Sequence, residues 1–138
     1  MISYQSENIP MPSVDTAHVS SWIHRVAESY GKRIGDIAYI FCDDEKILEV
    51  NRQFLSHDYY TDIITFDYTV GNTLNGDIFI SLDTVKSNAE TLAQDPSTEF
   101  YRVIIHGILH LCGINDKGTG EREIMEAAED KALSVLND

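Results

Sequence analysis

Residues 62–82 read DIITFDYTVGNTLNGDIFISL. Two stretches rich in β-branched and aromatic residues, 62–70 and 77–82, flank the turn-rich Gly71-Asn72-Thr73-Leu74-Asn75-Gly76, which predicts neighbouring strands joined as a hairpin. Working back from it, Asp43 or Asp44 can cap a helix carrying Ile47, Leu48, Val50, Phe54 and Leu55. Before that, residues 36–42 (DIAYIFC) predict a strand. Val19, Trp22, Ile23, Val26 and Tyr30 recur at three and four residues as the apolar stripe of a first helix, capped by Asp15 or Thr16 and ended by Gly31. Pro10 and Pro12 punctuate a loop, and residues 2–5 suggest an opening strand. Working forward, a helix is expected over 83–93, where Asp95-Pro96 interrupts it. Another runs from a Ser97 or Thr98 cap to Cys112, with Gly113 as its stop. The last spans about 121–136, with Ile124, Met125, Ala128, Ala132, Val135 and Leu136 inside. The order β-α-β-α-β-β-α-α-α predicts an α+β fold, one small mixed sheet of about four strands covered by helices.

The 138 residues fit a single domain over 1–138, and 43% hydrophobic with 24% charged residues is globular composition. No basic-then-apolar leader opens the chain, and the longest apolar run, 103–112, is broken by His106 and His110, so neither secretion nor a membrane span is expected. Cys42 and Cys112 make no disulfide framework and are expected as buried, reduced thiols in a cytoplasmic protein. A net charge of −13 repels phosphate backbones at long range, so any contact with nucleic acid must come from a local site, a metal or a partner. DNA and membranes are not expected partners.

The chemistry concentrates in residues 106–116, HGILHLCGIND. On a helix, His106 and His110 lie one turn apart on one face, so both imidazoles can reach one ion at zinc–nitrogen distances of about 2.0–2.1 Å. Gly113 lets the chain leave the helix in a left-handed conformation, and Asp116 can supply a third ligand from outside it. Three protein ligands leave a coordination position open, as in catalytic sites. This places the H-x-x-x-H metal site at the end of a central helix. The plainer reading is two core histidines and a helix stop; a ligand-capable Asp116 within reach favours the metal. His18 and His24 read as surface or satisfied histidines, Asp77 as a turn residue, and Glu121, Glu123, Glu126, Glu129 and Asp130 as a solvated helix face.

HGILHLCGIND resembles the signature of the YbeY family of ribosomal-RNA maturation endoribonucleases, H-G-x-L-H-L-x-G-Y-D-H. Residues 51–66, NRQFLSHDYYTDIITF, are similar to the family's N-x-x-Y-R-x-K-D-x-P-T-D-V-L-S-F, and residues 76–81, GDIFIS, match its G-D-I-x-I-S strand. Glu121, Met125 and Glu129 echo positions of its last helix. The resemblance covers the chain from about residue 43 onward. It implies a single zinc ion at His106, His110 and Asp116; the ligand set itself leaves Fe2+, Mn2+ and Ni2+ open as alternatives. It also implies single-strand-selective RNA cleavage, maturation of the small-subunit (16S) rRNA 3′ end, and ribosome quality control. The implied partners are ribosomal RNA, the small ribosomal subunit and ribosome-associated proteins.

Two positions depart from the family. Its third ligand is usually His where Asp116 stands, and two imidazoles with a carboxylate also suit iron or manganese. Its phosphate-binding Arg falls on Leu55, with Arg52 three residues earlier and His57 where the family has Lys. Thr61 and Asp62, in the T-D motif, are candidates for the substrate side, as are Arg52 and His57. Two other functions compete. One is a ribosome-assembly factor whose metal is structural, favoured by Leu55 and the charge. The other is a metzincin-like metalloprotease, whose spacing is shared but whose Glu is replaced by Gly107.

Overall fold

The computed structural model describes residues 1–55 and 61–138. Its elements are β1 (Ile2–Ser6), α1 (Thr16–Ser29), β2 (Arg33–Cys42), α2 (Asp44–Phe54), β3 (Ile63–Asp67), β4 (Thr73–Ser81), α3 (Leu82–Thr91), α4 (Pro96–Leu111) and α5 (Glu121–Ser134). The predicted element order and the α+β class hold. The strands form one mixed sheet in the order β1-β2-β4-β3. β1 runs parallel to β2 and β2 to β4, while β3 is antiparallel to β4.

The hairpin is tighter than its sequence suggests. Val70 and Thr73 exchange backbone hydrogen bonds of 3.1 and 3.0 Å, so the turn is Gly71-Asn72 alone. Residues 73–76 belong to β4, because this strand lies between two partners. Thr73 and Leu74 pair with Arg33 and Ile34, and Gly76 with Asp67. Asp77, expected in a turn, therefore sits in mid-strand between Ala38 and Phe66.

Alternation along β4 buries Leu74, Ile78 and Ile80 against the main core, with Ile37, Tyr39 and Phe41 of β2 beside them. The same core takes Val19, Trp22, Ile23 and Val26 from α1 and Ile104, Ile105 and Ile108 from α4. A smaller cluster, Cys42, Ile47, Val50 and Ile64, lies beneath α2. Two buried side-chain hydrogen bonds fix the helices that matter for the site. Tyr39 donates its hydroxyl to the Ile104 carbonyl of α4 at 2.8 Å, and Trp22 donates Nε1–H to the Ala132 carbonyl of α5 at 2.8 Å.

Several local expectations need correcting. Tyr30 is the C-cap residue of α1 and is exposed, and Ala27 takes the inner position. Phe54 and Leu55 are exposed at the end of α2, where Asn51 is buried instead. Asp95-Pro96 does separate α3 from α4, but Asp95, not Ser97 or Thr98, caps α4 by accepting from Ser97 N–H at 2.8 Å, and Pro96 is its first residue. Ile124 lies on the outer side of α5. Cys42 is buried and Cys112 partly so, both free; burial pushes their thiols up to about 12 and about 11. Among the described residues no helix is long and apolar enough to cross a membrane.

Candidate active site

The end of α4 is built as the motif requires. Ile114 N–H donates to the Leu109 carbonyl at 3.1 Å and Gly113 N–H to the His110 carbonyl at 3.0 Å. This is a Schellman pair, closed around Gly113 at φ +99°. The chain turns back, and Asp116 comes to face α4. His106 Nε2 and Asp116 Oδ2 stand 3.4 Å apart.

His106, His110 and Asp116 all line one cleft of about 490 Å³, together with Leu55, Thr61, Asp62, Arg102, Lys117 and Glu129. Ile63, Val103 and Met125 add apolar wall. Among the described residues no three His, Cys, Asp or Glu side chains stand close enough together to hold a metal ion as they are placed. Two of the expected ligands are adjacent and the third lines the same cleft.

Behind His106 stands a group that sequence reading placed in solvent. Glu129 is only 2% exposed, and its Oε2 lies 2.7 Å from His106 Nδ1. Its other oxygen accepts from Arg102 Nη1 at 3.0 Å. Arg102 also donates to Glu99, which is fully buried, through Nε at 2.8 Å and through Nη2. Asp62 accepts from Asn88 Nδ2 at 3.2 Å and lies 4.0 Å from Arg102 Nη2. The hydrogen bonds to Glu99 hold the Arg102 guanidinium above its already high pKa, against burial. Burial raises the Asp62 carboxyl despite Arg102 and His106 nearby.

The remaining candidates divide. Thr61 and Asp62 line the cleft, whereas Arg52 lies in a separate surface groove along α2 with Glu45, Leu48, Glu49 and Gln53. His57 lies outside the described residues. Leu55, at the position of the family Arg, does line the cleft. Sequence reading missed Glu99 and Arg102 altogether. Both had a signal: they share a helix face with His106, and a Glu in the first turn of an apolar helix needs a partner when it is buried.

Gly107 decides the protease alternative. A Cβ there would lie 3.0 Å from Ile78 Cδ1 and 3.3 Å from Ile63 Cδ1, so Gly107 packs against the sheet and offers no side chain for a general base. Gly107→Ala should gain about 1 kcal/mol of helix propensity and lose roughly 1–3 kcal/mol by overpacking. The expected net result is a loss of about 1 kcal/mol in urea unfolding; a gain would show that the contact is slack.

His106 is displaced too. Burial pulls its pKa down, but the hydrogen bond and charge of Glu129, with Asp116 and Asp62 further off, outweigh burial and raise it above 6.5. A base raised in the folded state contributes stability that is complete below its unfolded pKa and lost as pH rises through the folded one. Metal-free protein is therefore expected to have a lower urea midpoint at about pH 8 than at about pH 6. An unchanged or higher midpoint at the alkaline end contradicts this.

The sequence model of the family described as Endoribonuclease YbeY matches residues 2–137. The chain belongs to the YbeY endoribonuclease family. Relatives named Endoribonuclease YbeY from Phocaeicola vulgatus and Parabacteroides distasonis are 66% and 67% identical to it. The matches cover 99% and 98% of this chain and 99% and 95% of theirs. The solution structure of TM1509 from Thermotoga maritima shares the fold, with a TM-score of 0.69 at 24% identity, over 99% of this chain and 89% of that one. In this YbeY-family chain the H-x-x-x-H segment is thus the cleft-facing end of α4, backed by α5.

Proposed function

We infer that this chain is a metal-dependent, single-strand-selective endoribonuclease of the cytoplasm. Its proposed role is maturation of the small-subunit rRNA 3′ end and ribosome quality control, with ribosomal RNA and the small subunit as partners. The observation that carries the reading is His106 and Asp116 at 3.4 Å in a cleft that His110 also lines, with a buried carboxylate behind His106. The residues fit a divalent cation. Two imidazoles and a carboxylate are a competent donor set, and a second carboxylate on the far nitrogen of a ligating histidine is the usual support for one. Zn2+ is the default ion, with Fe2+, Mn2+ and Ni2+ as alternatives. The chemistry such an ion supplies is Lewis-acid stabilisation of charge developing at a phosphate.

The protein's own groups do the rest. His106, presenting Nε2, His110 and Asp116 would hold the ion. Thr61 and Asp62 line the same cleft and would meet an RNA strand bound in it. A reactive floor inside a concave cleft suits a strand that can be splayed in and not a rigid duplex. Cations are few. Arg102 is engaged by Glu99 and Glu129, and Arg122 pairs with Glu126 at 3.1 Å, which leaves Lys117 at the cleft with no ion pair among the described residues.

The test is cleavage of a small-subunit rRNA precursor, single-stranded or annealed to a complement, before and after chelation. Cutting of the single strand only, lost on chelation and restored by zinc, is expected. Cutting that survives chelation, or prefers the duplex, refutes the reading. A second reading, an assembly factor with a structural metal, is favoured by Leu55 in the cleft and by the charge of −13. It predicts no cleavage, with chelation lowering only the melting temperature.

A further inference from the structure

We propose that Arg102 is a positioning residue: by holding Glu129 from one side, it fixes which ring nitrogen His106 offers to the cleft. The proposal rests on His106 being a metal ligand, but its first readout does not.

A carboxylate can only accept hydrogen bonds, so Glu129 Oε2 at 2.7 Å requires the neutral His106 ring to carry its proton on Nδ1. Nε2, 3.4 Å from Asp116 Oδ2, is then the nitrogen with a free lone pair facing the cleft. A lone buried glutamate could rotate. This one is held, because Arg102 Nη1 takes Oε1 at 3.0 Å while the opposite edge of the guanidinium is occupied by Glu99. Glu99 is 0% and Glu129 2% exposed, so neither has water as an alternative partner. Spaced one turn apart along α4 are thus, in order, an anchor for the arginine, the arginine itself, and the ligand that it orients through α5.

In the parent either carboxylate oxygen accepts from Nδ1–H, so the hold of Arg102 on residue 129 is read only where the two ends of that side chain differ. They differ in Glu129→Gln. Arg102 has no acceptor, so it compels the amide oxygen to face it and turns the amide NH2 toward His106 Nδ1. The ring proton must move to Nε2, the nitrogen that a metal needs bare. Removing the constraint, in Glu99→Gln/Arg102→Met/Glu129→Gln, leaves the amide free to turn its oxygen back to His106.

The experiment is nitrogen-15 NMR of the His106 ring in metal-free protein at a pH where it is neutral, followed by zinc titration of the same samples. The parent should show Nδ1–H. Glu129→Gln should show Nε2–H and bind zinc about 10–100-fold more weakly, and the triple variant should regain most of that affinity. A Glu129→Gln protein with the parental tautomer and affinity overturns the proposal, as does a triple variant that binds no more tightly than the single one. If the parent itself binds no zinc, the metal reading fails while the tautomer comparison still decides the role of Arg102. Should Glu129→Gln not fold, Arg102→Lys substitutes for it. A single ammonium cannot hold both acids as the guanidinium does, so a mixed tautomer is expected, and parental behaviour overturns the proposal.

Discussion

The His110→Ala protein is expected to melt within a few degrees of the parent and to lose RNA cleavage by about two orders of magnitude or more. The two halves of that expectation have separate causes. His110 lines the cleft in the last turn of α4, and its side chain makes no hydrogen bond or ion pair among the described residues. Its removal leaves no buried group unpaired, and the helix end is held by backbone bonds through Gly113 that do not involve the imidazole. What is lost is one donor of the proposed ligand set, and with it the charge stabilisation that a bound ion would supply. Cleavage rates and melting curves on identically prepared proteins check both. A folded variant that cuts as the parent does removes His110 from the chemistry. One that fails to fold would show the histidine to be structural.

Arg102→Met is expected to do the opposite. It strips the counter-charge from Glu99 and Glu129, both nearly without solvent contact. Breaking a buried ion pair from one side costs about 3–5 kcal/mol, because the remaining charge stays desolvated. Domain stabilities run to about 5–15 kcal/mol, so much of the total is at stake. Urea unfolding should show the loss, and Glu99→Gln/Arg102→Met should recover part of it by removing one of the orphaned charges. A single variant within about 1 kcal/mol of the parent would mean that water reaches these carboxylates easily.

How much of this was legible in the sequence depends on range. The hairpin, the helices and the Gly113 turn at the end of α4 are local patterns, written in residues that touch their near neighbours, and they are readable in the sequence. The exact turn was not, because residues 73–76 become strand only when β2 lies alongside β4. Glu129 shows the limit more sharply. Its neighbours Glu126 and Asp130 are exposed, and the run of acids reads as one solvated face. Yet Glu129 falls on the stripe of Met125 and Ala132, both buried. A glutamate on an apolar stripe signals a buried partner; which partner, 27 residues away on α4, is a tertiary fact. Likewise Arg52 was a reasonable substitute for the missing family arginine until the helix carried it to a different groove.

The central claim is that His106, His110 and Asp116 together hold one divalent ion. Its most direct test is metal analysis after zinc loading and exhaustive dialysis, on the parent and on folded His110→Ala and Asp116→Ala proteins. The account predicts one zinc per parent chain and none retained by either variant. A parent that retains none, or variants that retain as much as the parent, would contradict it.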